Sequence, residues 1–432
     1  MSNESIQIAL FWYSDAICLM DRNRKVKALR CRECNAEYEP ALRYVCDECL
    51  GPLEVEYDLD SIDVSKDTFM HREKSYWRYL ELLPIEDVKN IVSLDAGYTP
   101  LHRADNLADA LGIKHLYIKN DSMNPTFSFK DRPAGVAVSK AKEIGLRAIG
   151  CASTGNLASA TAAHASKARM PCYIFAPYSI EYAKIAQALS YGAEFIAIDG
   201  TYDDANRLAT QMIEHMSIGI VNVNMRPYYV EGSKTLAYEV LEQLSWRVPD
   251  HLIIPVASGA MLNAICRGLE EMYSLGLIDS IDRVRVTAAQ GYGCAPIVDA
   301  FKNNRDEIMP VEYPNTIAKS LAIGDPGDGI YALRRLRQFN GYAEDPTDDE
   351  IVDAILMLAR HEGIFTEPAG GVVIATLKRL IDDGKIDRDE HIVCYITGNG
   401  LKAIDAIEER IERPRIVRPM VEDVLSIVSK SL

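Results

Sequence analysis

The chain has 432 residues, 48% of them hydrophobic and 25% charged, and a formal net charge of −16. That length suits two domains or one large composite rather than one small core. The acidic balance excludes broad attraction to nucleic acid or anionic membranes while leaving room for a local basic pocket, and no run of eighteen apolar residues offers a membrane span.

In chain order, Met1 to Asp15 lacks a basic n-region, and Ser14 and Asp15 interrupt the apolar stretch before them. No secretory signal is expected there. The next feature is Cys31-Arg-Glu-Cys34, eleven residues, then Cys46-Asp-Glu-Cys49. Two Cys-x-x-Cys knuckles at this distance can supply four thiolates, from Cys31, Cys34, Cys46 and Cys49, to one tetrahedral Zn²⁺. Four protein ligands leave no open position, so such a site is structural; the alternative is two pairs of buried cysteines without metal. The stretch between them predicts a short hairpin over residues 37–45. Glu33, Glu37, Glu39, Asp47 and Glu48 argue against nucleic acid as the ribbon's partner. The other six of the ten cysteines are scattered, which fits reduced thiols and a cytoplasmic protein.

Residues 58–90 are charged and turn-rich, with Ser75-Tyr-Trp-Arg-Tyr-Leu80 as the packing anchor. Strand His115–Lys119 leads to Asn124-Pro-Thr-Phe-Ser-Phe-Lys-Asp-Arg132. The Asn-Pro turn places Lys130 in a loop, and Asp131 with Pro133 marks a helix start. Phe129 can keep water from Lys130, a setting in which a lysine serves as a Schiff-base nucleophile rather than a surface charge. Lys140 and Lys142, on the following helix, have no such setting and are expected to be solvated.

From 148 to 255 short apolar runs alternate with helical patterns, as in parallel sheet crossovers. The predicted strands are 148–152, 172–176, 195–198, 220–223 and 252–255. Within this region lie Cys151-Ala-Ser-Thr-Gly-Asn156 and Pro255-Val-Ala-Ser-Gly-Ala-Met261. Later come Thr366-Glu-Pro-Ala-Gly-Gly371 and Tyr395-Ile-Thr-Gly-Asn-Gly-Leu-Lys402.

Taken together and in this order, these stretches resemble the pyridoxal-phosphate enzymes of fold type II, the tryptophan synthase β family, and within it the threonine synthases. The resemblance runs from about Tyr76 to about Ile407. It implies an α/β protein with two lobes and parallel-rich sheets, joined to a small N-terminal zinc ribbon. The expected layout is a ribbon at 25–55, a large cofactor-binding lobe from 76–144 and 225–412, a small lobe at 145–224, and a C-terminal extension at 413–432.

Pyridoxal phosphate asks its protein for an amine, a phosphate cradle, and partners for its phenolic oxygen and ring nitrogen. The resemblance implies Lys130, flanked by Phe129, for the amine, and Ala257-Ser258-Gly259-Ala260-Met261 for the cradle, where N–H groups at a helix start can hold a dianion. Ala257 and Ala260 replace glycines usual in the family, which leaves open where any left-handed backbone sits. Asn156 matches the family's phenolate partner, although an asparagine there is also an ordinary cap. Thr397 matches the residue facing the ring nitrogen, or is a strand-end threonine.

For substrate, the resemblance implies Ser153, Thr154 and Asn156 at the carboxylate and Asn224 and Arg226 at a phosphate. Arg226 suits that anion by its forked donors, and could equally form a salt bridge; Lys234 is a lesser candidate. Phe127 stands where many relatives carry glycine. The activity implied is conversion of O-phospho-L-homoserine and water to L-threonine and phosphate, with a homodimer as the usual assembly. The alternatives are β-replacement or elimination on phosphoserine, serine or threonine, and a non-catalytic binding paralogue.

Overall fold

The structure, a computed structural model, describes residues 25–153, 155–178 and 182–428. Strands β1 (Val26–Cys31), β2 (Glu37–Tyr38) and β3 (Leu53–Tyr57) form a small antiparallel sheet in the order β2-β1-β3. The hairpin expected within 37–45 is absent: β2 pairs with β1 instead. Each cysteine knuckle closes as a tight turn, with Asn35 N–H on the Cys31 carbonyl and Leu50 N–H on the Cys46 carbonyl. Asn35 and Leu50 both take left-handed φ values to do so.

Two larger sheets follow. One is built from β4 (Leu101–Arg103), β5 (His115–Asn120), β10 (His251–Pro255), β11 (Arg285–Ala289), β12 (Ala343–Glu344) and β13 (His391–Ile396), in the order β12-β11-β10-β13-β5-β4. All its pairings are parallel except β4 with β5. The other contains β6 (Ala148–Ala152), β7 (Cys172–Pro177), β8 (Glu194–Ile198) and β9 (Ile218–Ile220), in the order β8-β7-β6-β9, and is wholly parallel. The strand predicted at 220–223 is β9, ending earlier than expected. The Asn224 side chain accepts from Ile220 N–H and donates to the Ile218 carbonyl, folding the chain back where the ladder would continue.

Every residue of β6, β10 and β13 is buried, which is why these strands read as unbroken apolar runs. Side chains alternate between faces. Leu252 and Ile254 of β10 join a core with Ala237 and Leu241 of one helix and Leu262 and Ile265 of another. Ile253, one residue out of phase, packs instead with Val372, Val373 and Leu377. Helices thus cover both faces of the large sheet, and its polar chemistry is left to the carboxyl ends of the strands.

Candidate functional site

Lys130 sits at the start of helix α1 (Asp131–Glu143), and the loop before it is pinned from several sides. Asn124 accepts from Gly97 N–H at 2.9 Å and donates to the Asp121 carbonyl. Phe127 turns the chain with a left-handed φ of 65°, a conformation open to glycine and costly for a side chain. Thr126 gives both its N–H and its hydroxyl to Asp131 Oδ2. Phe129 N–H then binds the Thr397 carbonyl and Asn399 N–H the Phe127 carbonyl, so the loop is laced to the segment leaving β13.

Arg132, two residues after Lys130, is fully buried. Its guanidinium meets Asp121 at 2.6 Å and Glu239 at 2.5 Å, and Lys119 binds Glu239 at 2.6 Å. Burial works against the Glu239 carboxylate, but Arg132 and Lys119 outweigh it and hold the group down at about 2. This dry, matched cluster anchors α1 immediately behind Lys130.

Lys130 Nζ lies 4.4 Å from the centre of the Phe129 ring and donates to the Tyr229 hydroxyl at 3.1 Å. It opens into a cavity of about 370 Å³, whose wall also carries Phe129, Ser153, Asn156, Arg226, the whole of 257–261, and Thr397. The cavity lies past the ends of β6, β10 and β13. Thr154 lies outside the described residues. Asn224 is not brought to the cavity, because its amide is engaged on both sides by backbone of β9.

The segment 257–261, predicted to cradle a phosphate, opens helix α2 (Ala260–Ser274). Its left-handed residue is Gly259, with φ of 96°, so Ala257 and Ala260 need no glycine-like backbone. A Cβ on Gly259 would lie 2.7 Å from the Asp328 carbonyl oxygen, which shows how closely the loop is backed. Asn156 is the first residue of a helix, and its side chain caps nothing. It donates instead to both oxygens of Glu367 at 3.1 Å and accepts from Lys402 at 2.8 Å. Burial pushes the Glu367 carboxyl up, against the pull of Asn156, Lys402 and Lys130, and burial lowers the Lys402 ammonium against the pull of Glu367.

Glu367, Lys402 and Tyr229 were not given roles from sequence. Two of them stand in stretches that the sequence singles out. An acid just before proline at a helix start is the signal that marks Glu367. Nothing local marks Tyr229. Two lysines differ from expectation. Lys140 is buried and paired with Glu143 rather than solvated. Lys234 is buried between Glu231 and Glu271, away from the cavity.

In the ribbon, the sulfurs of Cys31, Cys34, Cys46 and Cys49 all lie within 4.8 Å of one another. The Cys31–Cys49 and Cys34–Cys46 separations are both 3.5 Å, close to the roughly 3.8 Å edge of a zinc–thiolate tetrahedron with ~2.3 Å bonds. Burial disfavours the Cys46 thiolate, yet the Tyr38 hydroxyl and the N–H groups of Cys49 and Glu48 bring its thiol down to about 6.

The model of a family described as pyridoxal-phosphate dependent enzymes matches residues 92–398. A threonine synthase of Methanocaldococcus jannaschii is 43% identical over 389 residues, covering 89% of this chain and 95% of its own. Another, from Methanosarcina acetivorans, is 39% identical over 398 residues, covering 92% and 97%. Among solved structures, a threonine deaminase isoform from Solanum lycopersicum superposes with a TM-score of 0.63 at 21% identity, over 80% of this chain and 94% of that one. That last likeness speaks for the fold.

Proposed function

The chain belongs to the pyridoxal-phosphate dependent enzymes, and we propose that it is a threonine synthase, forming L-threonine and phosphate from O-phospho-L-homoserine and water. It is a pyridoxal-phosphate dependent lyase, a member of amino-acid biosynthesis. The observation that carries the reading is one cavity with Lys130 on one wall and Arg226 and a helix N-terminus on others.

These residues fit the cofactor. The N–H groups that open α2 and the closely backed Gly259 suit its phosphate, Asn156 its phenolic oxygen and Thr397 its ring nitrogen. When bound, the cofactor supplies an electron sink for carbanion chemistry. A hydroxyl at Thr397 moderates that sink, because it cannot hold the ring nitrogen protonated as a carboxylate would. Glu367 and Lys402 grip the two ends of the Asn156 amide and so fix its orientation at the cavity wall.

Lys130 is placed to carry protons at the substrate's Cα and Cβ. Tyr229 keeps the Lys130 amine oriented. Arg226 holds the phosphate that departs from Cγ, and a water then adds at Cβ. Ser153 and the start of the helix at Asn156 serve the substrate carboxylate. Holding these atoms together supplies much of the rate. The four ribbon cysteines hold a structural Zn²⁺, supported by their spacing and sulfur separations. Working as a cytoplasmic homodimer completes the reading. Among the described residues no helix is long and apolar enough to cross a membrane.

Arg226 would serve phosphoserine as well, so that substrate is the second reading. The test is release of phosphate and threonine from O-phosphohomoserine by purified enzyme, with phosphoserine beside it and Lys130→Ala as control. Stoichiometric release, abolished in the control, is the expected result. Turnover of phosphoserine alone would refute the assignment.

A further inference from the structure

The ribbon reaches the cavity wall through one buried carboxylate. Arg32 follows the first ligand cysteine at the end of β1, and its side chain leaves the ribbon to lie 3.8 Å over the Tyr331 ring. There it donates to Asp328 Oδ1 at 3.1 Å. The other oxygen, Asp328 Oδ2, accepts from Arg226 Nη2. Asp328 is 2% exposed in its side chain, against 27% for Arg226, which faces the cavity.

Asp328 stands at the N-cap of helix α3 (Gly329–Gln338), where an aspartate ordinarily turns its carboxylate onto the helix N–H groups. Here it makes no such bond. Both oxygens go to arginines instead. Its backbone is fixed as well: Asp328 N–H binds the Ser258 carbonyl, and its own carbonyl receives Asn263 and backs Gly259. The carboxylate is thus a rigid post between the ribbon and the proposed phosphate site.

We propose that Arg32 is a positioning residue for substrate phosphate: by occupying one oxygen of Asp328, it limits Arg226 to the other and leaves Arg226 donors free in the cavity. A buried carboxylate with one arginine removed recruits the remaining one to both oxygens, since a forked pair satisfies it best. Arg226 would then turn away from the cavity. This inference rests on Arg226 being the phosphate-binding residue.

The experiment measures steady-state constants for O-phosphohomoserine with Arg32→Ala, Arg32→Lys, Arg226→Ala and the Arg32→Ala/Arg226→Ala pair. Calorimetric binding of inorganic phosphate to each cofactor-loaded protein provides a readout apart from turnover. Zinc content and the cofactor's visible band establish that each variant is assembled. Arg32→Ala is expected to raise KM and weaken phosphate binding by roughly five- to thirtyfold, an effect worth one to two kcal/mol, with kcat little changed. Arg32→Lys should recover part of this, and Arg32→Ala should add nothing once Arg226 is gone. Arg32→Ala with wild-type KM, or additive losses in the pair, would overturn the coupling. If Arg226→Ala itself left KM and phosphate binding unchanged, the premise rather than the coupling would have failed.

Discussion

A methyl group at position 259 tests the proposed cradle most directly. Gly259 has φ of 96°, and an alanine forced into left-handed backbone costs roughly 1–2 kcal/mol. The added Cβ would also lie 2.7 Å from the Asp328 carbonyl oxygen and 3.1 Å from Ala332 Cβ. Neither neighbour yields easily, because Asp328 N–H is bonded to the Ser258 carbonyl and Ala332 is buried in α3. The loop must therefore move, for a total cost of roughly 2–4 kcal/mol. If that loop holds the cofactor phosphate, Gly259→Ala should weaken cofactor binding at least about tenfold, since each ~1.4 kcal/mol is a factor of ten. The assay is titration of cofactor-free protein with pyridoxal phosphate, followed by visible absorbance, with thermal unfolding alongside. Gly327→Ala is the comparison, because it lines the same cavity and its Cβ would meet no atom within 4 Å. It should unfold like the parent protein. Gly259→Ala that retains the parent's cofactor affinity would refute the cradle.

Glu239→Gln should destabilise the protein by about 3–5 kcal/mol in denaturant unfolding, because Arg132 and Lys119 are left buried with one carboxylate fewer. The same carboxylate sets an acid limit. It is held at about 2 against an ordinary 4.5, so its contribution is complete above the unfolded value and drains as pH falls toward 2. Unfolding monitored across that window should show a steeper loss in the parent than in Glu239→Gln; equal slopes would contradict this. For the ribbon, metal analysis should find about one zinc per chain, lost in Cys46→Ser together with the ribbon's thermal stability. A fully stable, zinc-free Cys46→Ser would mean the four thiols need no metal.

Local chemistry made much of this molecule legible in the sequence. Cysteine spacing announced the ribbon, and unbroken apolar runs announced buried parallel strands, since a strand covered on both faces tolerates no polar alternation. The Asn-Pro turn, the lysine and the helix start after it located the loop now found beside the cavity. Side-chain pairings were harder to read, even between near neighbours, because which face of an element is buried depends on what packs against it. Lys140 reads as solvated and Lys234 as a lesser phosphate ligand until the faces they stand on are known to be buried, where Glu143 pairs with Lys140 and Glu231 and Glu271 pair with Lys234. Asn224 reads as a ligand residue in the sequence, and in the structure both ends of its amide are engaged by the backbone of β9.

Tertiary structure alone decided which side chains share the cavity. Asn156 meets Glu367 across 211 positions and Lys402 across 246, and Asp328 receives Arg32 from 296 positions away. Periodicity and turn signals report a residue's near neighbours. Pairings of that span depend on how two sheets and a ribbon pack, and only the folded chain fixes them.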